Sequence, residues 1–449
     1  MLVTKTAKCR ITAGEQDVKR TVAVCREALA HILSVVVAEW RDISRFDKPL
    51  ERRRACELLL VTNKRGQAPA GYDLAAKFHK LPSYLRRALI TEAIGTYASH
   101  LSRFAGWREA KAIAFAAGRK FTAKPPRLNA EPQAWTTFYR GNMFEGELAD
   151  FAGKKELYLQ LKLYDGREWV WRDVAIDAKP LRKRGLAVYQ PQAPTAVKSA
   201  RGWSLHIPWQ REVALPKLAE PREVRVCSVD LNVDNDAVMA VMDGDGTVHA
   251  RKFLACDKDR LVQAIDRVSA ANQKSGAGPK PNLWRRVNNL KDELVNTTVN
   301  AIVAFALEHG CHVIAMENLK SLKPGNKRRE RVHHWRVMAI SRALERAAHH
   351  AGLRLSRVNP RNTSRLAFDG SGKAERPQNG KTLVFTSGKR YNADLNAAYN
   401  IGARWFVRAF FNMLPKQRQK QLRAKAPALQ PGSGTTLDTL RTGWAALPV

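Results

Sequence analysis

Val224-Arg-Val-Cys-Ser-Val-Asp230-Leu-Asn-Val-Asp-Asn235 is the stretch on which the reading of this chain turns. A short apolar run of strand-forming residues delivers an acid, Asp230, at its end. Two later stretches share that pattern. Val313-Ile-Ala-Met-Glu317-Asn-Leu carries an acid after an apolar run, and Asn392-Ala-Asp394-Leu-Asn-Ala-Ala-Tyr-Asn-Ile401 carries one where a helix opens. Taken singly, Asp230 fits a strand-end turn, Glu317 a surface acid and Asp394 a helix N-cap. Taken together, three carboxylates far apart in sequence, each at the edge of an apolar element, predict one metal site assembled by folding.

Working outward, the order around these acids is hairpin, helix, strand, helix, strand, helix. Ala237 to Met242 and Val248 to Phe253 pair over Asp243-Gly-Asp-Gly246. Helices follow at Asp257 to Ala271 and along the stripe Val287, Leu290, Leu294, Thr298, Ile302, Phe305. Then come a strand ending at Glu317, a basic loop Lys320 to Arg331, a helix Trp335 to His350, a strand Leu353 to Val358 and a helix opened by Asp394. This order matches a ribonuclease-H-like fold, in which the first and fourth strands lie parallel and adjacent. Their terminal acids are then neighbours. Three such carboxylates suit hard divalent cations such as Mg²⁺. Two ions about 3.5–4 Å apart can activate water and stabilise the leaving oxygen of a phosphodiester.

Two other patterns are set aside. Asp230-x-Asn232-x-Asp234 begins like a calcium loop, but Asn235 replaces the required Gly and Val241 sits where the bidentate Glu belongs. Asp243-Gly-Asp-Gly fits a hairpin turn. The pairs His333-His334 and His349-His350 lack partnering cysteines and read as helix surface.

Composition narrows the partners. The chain has 449 residues and a formal charge of +36, with a pI near 10.4. Such a balance points to a polyanion, because each Lys or Arg set against a phosphate releases counterions. No apolar run reads as long enough to span a bilayer, and Met1 to Ile11 has no signal-peptide pattern. The six cysteines, Cys9, Cys25, Cys56, Cys227, Cys256 and Cys311, form no C-x-x-C pair. They read as small buried hydrophobes in a reducing compartment, with no disulfide framework and no cysteine zinc site.

The N-terminal half predicts a β block interrupted by helices. Leu2 to Ile11 reads as a strand. Thr12-x-x-Glu15 reads as a capping box opening a helix with Val18, Val22, Cys25, Leu29, Ile32 and Val36 on one face. A shorter helix covers Ala55 to Val61. A third, after Leu81-Pro-Ser, carries the stripe Ile90, Ile94, Tyr97, Leu101, Phe104. From Phe121 the pattern becomes alternating. Leu157, Leu159, Leu161 and Leu163 lead through Asp165-Gly166 into Trp169-Val-Trp, and Ala196-Val197 pairs with Trp203 to Ile207. An antiparallel β barrel or sandwich completed by the first strand is expected. Trp169, Trp171, Trp203 and Trp209, among Arg167, Arg172, Lys198 and Arg201, suit either base stacking or a small barrel core. Pro216 to Pro221 reads as a linker.

The acid-bearing stretches resemble the split RuvC nuclease domain of TnpB, the transposon-encoded relative of compact type V CRISPR effectors. The matching motifs are Val229-Asp230-Leu-Asn232, Met316-Glu317-Asn318-Leu319 and Asp394-Leu-Asn396-Ala-Ala-Tyr-Asn400-Ile401. The resemblance covers Arg222 to Phe410, and more loosely Leu81-Pro-Ser-Tyr-Leu85. It implies an α+β multidomain chain: a wedge-type β-barrel domain (1–12 and 121–215), an inserted helical recognition lobe (13–120), an RNase H-like RuvC domain (222–362 and 390–413), a degenerate zinc-ribbon segment (363–389) and a mobile tail (414–449). It further implies Asp230, Glu317 and Asp394 as catalytic Mg²⁺ ligands, with two ions. The family's zinc ribbon starts after T-S-Q, here Thr363-Ser364-Arg365. Its ligand positions fall at Ala367, Gly370, Val384 and Ser387, which cannot hold zinc.

The partners so implied are a guide RNA and target double-stranded DNA, bound by a monomer or by a homodimer on one guide, in a prokaryotic cytoplasm and with no membrane. Base pairing would read the target, and the protein a short adjacent duplex motif. Arg285 and Arg286, off the helical stripe, and Lys320, Lys323, Lys327, Arg328, Arg329 and Arg331 are candidate nucleic-acid contacts. The second run reads equally as a substrate lid or a solvated loop. Three other functions are weighed: a guided DNA-binding repressor that does not cut, a transposase of the same fold, and a structural RNA-binding protein with a dead ribonuclease-H-like core, against which the three intact acids argue. Transposases end D-D-E, whereas the order here is Asp, Glu, Asp.

Overall fold

In the computed structural model, β1 (Leu2–Ala13) is the strand about which the first half is built. The structure describes all residues except 63–65, 70, 130–133, 135, 183–184, 200–201, 219, 232–235, 256–258, 276–279, 320–327, 378–379, 426–429 and 445–449, with 328–335 and 425 described by backbone alone. The chain forms two compact units, Leu2–Arg211 and Glu212–Val449, the latter including Met1.

In the first unit, β1 is followed by α1 (Glu15–Ala38), α2 (Trp40–Ser44), α3 (Pro49–Leu60), α4 (Leu74–Lys77) and α5 (Ser83–Ala116). The sheet then continues through β2 (Thr136–Thr137), β3 (Phe144–Glu145), β4 (Glu156–Tyr164) and β5 (Trp169–Asp177). After α6 (Lys179–Arg182) come β6 (Gln190–Pro191), β7 (Thr195–Ser199) and β8 (Gly202–Glu212). The eight strands order as β2-β7-β8-β1-β5-β4-β3, with β6 also on β8. The first strand therefore completes the sheet, as expected. Among the described residues, however, β2 and β3 remain its two ends, so hydrogen bonding does not close a barrel.

The α1 stripe lands in the core, with Val18, Val22, Cys25, Leu29, Ile32 and Val36 all buried. By length and composition this helix is apolar enough to cross a membrane, contrary to the sequence expectation, but its apolar face is spent inside the unit. The capping box is corrected too. Pairing of Ala13 with Ala175 keeps Thr12 in the strand, and Gly14 at φ 81° starts α1 with no side-chain cap. A Cβ there would lie 3.0 Å from Asp173 O. On α5 the stripe is buried only as far as Ala93; Ile94, Tyr97, Leu101 and Phe104 are half-buried. Trp203 and Trp209 fill the sheet's core, whereas Trp171 is exposed.

The second unit contains β9 (Val226–Asp230), β10 (Ala237–Met242), β11 (Val248–Leu254), α7 (Asp259–Ser275), α8 (Pro281–Glu308), β12 (Val313–Glu317), α9 (Arg328–His350) and β13 (Arg354–Val358). It continues with β14 (Thr382–Val384), β15 (Arg390–Asn392), α10 (Ala393–Met413), α11 (Lys416–Lys425) and a short helical turn at Thr439–Trp444. Five strands order as β11-β10-β9-β12-β13. β9 pairs antiparallel with β10 and parallel with β12, the adjacency expected from the element order. Alternation divides the sheet into two faces. Val226, Val238, Ala240, Val313 and Ala315 join the core that includes α10. Cys227, Val229, Met239, Ile314 and Met316 join the core under α8 and α9.

Two boundaries are corrected. α9 begins at Arg328, not Trp335, so Arg328, Arg329 and Arg331 are helical rather than in a loop. Within the expected mobile tail, residues 430–444 are packed, whereas α11 is mostly exposed. Thr435, Thr436, Leu437, Leu440 and Trp444 are buried. Trp444 stacks on Phe410 at 6.0 Å, and Arg404 Nε donates to Thr435 O at 3.2 Å.

Candidate active site

Asp230 and Glu317 are the last residues of β9 and β12. In the parallel register Met316 faces Val229, so the two acids stand one step further on, side by side. Neighbouring strands lie about 4.8 Å apart. Pleat parity decides their direction: Asp230 shares a face with Val226 and Ser228, and Glu317 with Val313 and Ala315. That is the face covered by α10. Asp394 lies in the first turn of this helix.

The N-cap alternative for Asp394 is answered by its neighbour. Asn392 Oδ1 accepts hydrogen bonds from Asp394 N and Leu395 N, both at 3.0 Å. The cap is therefore an asparagine, and the Asp394 carboxylate is not needed for it. Its place in the first turn also suits the positive end of the helix dipole.

Glu317 is desolvated. Burial pushes its carboxyl above the usual range, opposed by a hydrogen bond from the Thr363 hydroxyl and by the charge of Arg404. Burial in turn lowers Arg404 to about 10. A carboxylate held out of water at a strand end favours a nearby cation. The donor set is oxygen only, which suits Mg²⁺ in kind. Among the described residues, no three His, Cys, Asp or Glu side chains converge closely enough to hold one ion. The fold thus brings Asp230 and Glu317 together and sets the helix of Asp394 over their face, without closing the three into one ligand set.

The remaining candidates are dispersed or undescribed. Arg285 and Arg286 are exposed, on the part of α8 that packs against α7 through Val287, Leu290 and Leu294 rather than on the sheet. Lys320, Lys323 and Lys327 lie outside the described residues, as do Asn232 and Asp234. Arg328, Arg329 and Arg331 are described only as backbone of α9. The Asp243-Gly-Asp-Gly turn is a turn indeed: Asp243 Oδ1 accepts from Asp245 N and Thr247 N at 3.1 and 2.9 Å.

Two features escaped the sequence reading. Asp236 and Arg336 form a buried ion pair that ties the start of β10 to α9; an acid directly before a wholly apolar strand was its only signal. Asn396, Asn400 and Arg404 recur every fourth residue along an otherwise apolar, buried helix. Each is hydrogen-bonded to backbone of residues 359–368 or 433–437.

Where the zinc ribbon was expected to have decayed, Leu366 bridges Lys373, Glu375 bridges Val384, and β14 pairs with β15. Phe368 packs edge-on against Phe385, Tyr391 and Tyr399, at 5.5, 4.9 and 5.2 Å between rings. An aromatic cluster fills this segment.

Residues 5–165 match the Aq_aa04 family model. A sequence search of curated proteins gives no match. Among solved structures, CasPhi-2 (Cas12j) bound to crRNA superposes with a TM-score of 0.53 at 12% identity, covering 89% of this chain and 97% of that one. The mini-RNA-guided endonuclease CRISPR-Cas_phi3 gives 0.49 at 11%, covering 89% and 92%. CasPhi-2 bound to crRNA and phosphorothioate DNA gives 0.49 at 12%, covering 90% and 91%. The chain shares the fold of a compact type V CRISPR effector over nearly its whole length.

Proposed function

We propose that this chain is an RNA-guided, DNA-targeting effector that cuts its target by Mg²⁺-dependent phosphodiester hydrolysis in a RuvC-like site. The observation that carries the reading is the parallel pairing of β9 and β12. It sets Asp230 beside Glu317 on the face covered by the helix of Asp394. The fold shared with CasPhi-2 and the charge of +36 support guide RNA and target DNA as partners, whether the guide comes from a CRISPR array or a transposon end. One copy or a pair on one guide, working in the cytoplasm, fits this reading.

Asp230, Glu317 and Asp394 would hold the metal. Bound Mg²⁺ would supply an activated water and stabilise the leaving oxygen. The chain's own contribution is placement: two strand ends set two carboxylates side by side, and the third is carried in the first turn of α10, which covers their face. A hydrogen bond from Thr363 fixes one oxygen of Glu317.

A second reading, guided binding without cutting, is favoured by one observation. Ala367, Gly370, Val384 and Ser387 stand where the resembled family has zinc ligands. The test is to purify the protein with its co-expressed RNA and offer a matching plasmid target behind a randomised flank with Mg²⁺. Binding and cutting are scored together. Guided cutting that disappears in Asp230→Ala is expected. Tight guided binding with no cutting in either protein supports the repressor, and no guided binding contradicts both readings.

A further inference from the structure

The polar face of α10 leads to Glu317 through one residue. Asn396 Nδ2 donates to Leu366 O at 2.9 Å and to Thr363 O at 3.4 Å. Asn400 Nδ2 donates to Leu366 O at 2.9 Å and to Thr363 O at 3.0 Å. The count of protons and lone pairs closes: two amides give two protons each, and two carbonyls accept two each. Asn396 Oδ1 accepts from Phe368 N at 2.9 Å. Arg404 Nη1 grips the other side of the loop, donating to Asn359 O at 2.6 Å and to Arg361 O at 2.8 Å. Thr363, itself 2% exposed, is therefore clamped on both flanks. Its hydroxyl meets Glu317 Oε1. Pro360 O, 2.9 Å away, is the alternative acceptor for the single hydroxyl proton.

We propose that Thr363 is a positioning residue for Glu317, held in place by Asn396, Asn400 and Arg404, so that α10 both carries Asp394 and orients the acid on β12. The inference rests on the nuclease reading. With Oε1 tied to the hydroxyl, Oε2 is left for a cation, and the carboxylate loses the rotational freedom that would weaken binding. Polar groups buried on a helix would otherwise cost stability without return. Here each supports the loop that carries Thr363.

Mn²⁺ alone is the probe, titrated into the full-length protein without nucleic acid and followed by loss of the free-ion electron paramagnetic resonance signal. The proteins are wild type, Asp230→Asn, Glu317→Gln, Thr363→Val and Thr363→Ser, with melting curves alongside. Asp230→Asn and Glu317→Gln are expected to remove the tightest site. Thr363→Val keeps the shape and loses the hydroxyl, and is expected to weaken that site about 10- to 100-fold. Thr363→Ser, which restores the hydroxyl, stays within about threefold of wild type. Wild-type Mn²⁺ affinity in Thr363→Val, with the site still lost in Glu317→Gln, overturns the positioning role and leaves the metal site standing. No Mn²⁺ site sensitive to Asp230 and Glu317 overturns both.

Discussion

A helix begins with amide groups that have no intrahelical acceptor, and at α10 the supplier is Asn392, not Asp394. Asn392→Ala should cost about 1 kcal/mol, read as a shifted denaturant midpoint. Asp394→Ala should leave stability nearer wild type while removing activity. The thiols give a second prediction. Cys9, Cys25, Cys56, Cys227 and Cys311 are buried thiols, none of them in a disulfide. Burial pushes Cys25, Cys56 and Cys311 up to about 12, and Cys227 well above the ordinary thiol range. A folded thiol that keeps its proton when the unfolded one has lost it makes stability fall as pH rises from the unfolded value near 8.5. Alkaline pH from there to about 12 is therefore the destabilising window. At pH 8, a colourimetric thiol reagent should titrate none of these five in the native protein, and all six cysteines of the chain in denaturant. More than one reactive native thiol would contradict the burial.

At the scale of elements, α10 is buried on nearly every side, and the sheet covers only one of them. Part of the remaining cover comes from 430–444, through Leu437 N on Asn400 Oδ1 at 3.3 Å and Trp444 beside Phe410 and Phe411. Trp444→Ala should cost about 3–5 kcal/mol by chemical denaturation. Asp438 N also donates to Phe368 O at 2.9 Å, which fastens the aromatic segment. If aromatic packing alone holds residues 363–389, a chelator should leave the melting temperature of the protein as purified, without added Mg²⁺, unchanged; a fall would point to a structural metal. The strands and helices around the acids were legible because each is a continuous apolar run or a 3.6-residue stripe. The packed C-terminal segment was not, because its sparse Leu437, Leu440 and Trp444 acquire partners only across the fold. Its signal lay elsewhere, in a helix apolar on more sides than one sheet can cover. Thr363 was legible as a landmark but not as a partner of Glu317, since side-chain contacts across 46 positions leave no periodic trace.

At the scale of the whole molecule, the proposed function joins two attributes: nucleic-acid binding, supported by a charge of +36 and a fold shared with CasPhi-2 along 97% of that chain, and cutting, supported by the β9–β12 register. The two attributes separate experimentally. Binding should depend on the basic charge and weaken steeply with salt, whereas cutting should depend on three carboxylates that contribute little to holding a polyanion. The measurement that tests this most directly is cleavage of a guide-matched DNA duplex in Mg²⁺ by wild type, Asp230→Asn, Glu317→Gln and Asp394→Asn, with guided binding followed in the same samples. The account predicts that each substitution lowers the cutting rate by at least about a hundredfold, with target binding retained. Wild-type cutting in all three variants would contradict the assignment of the site.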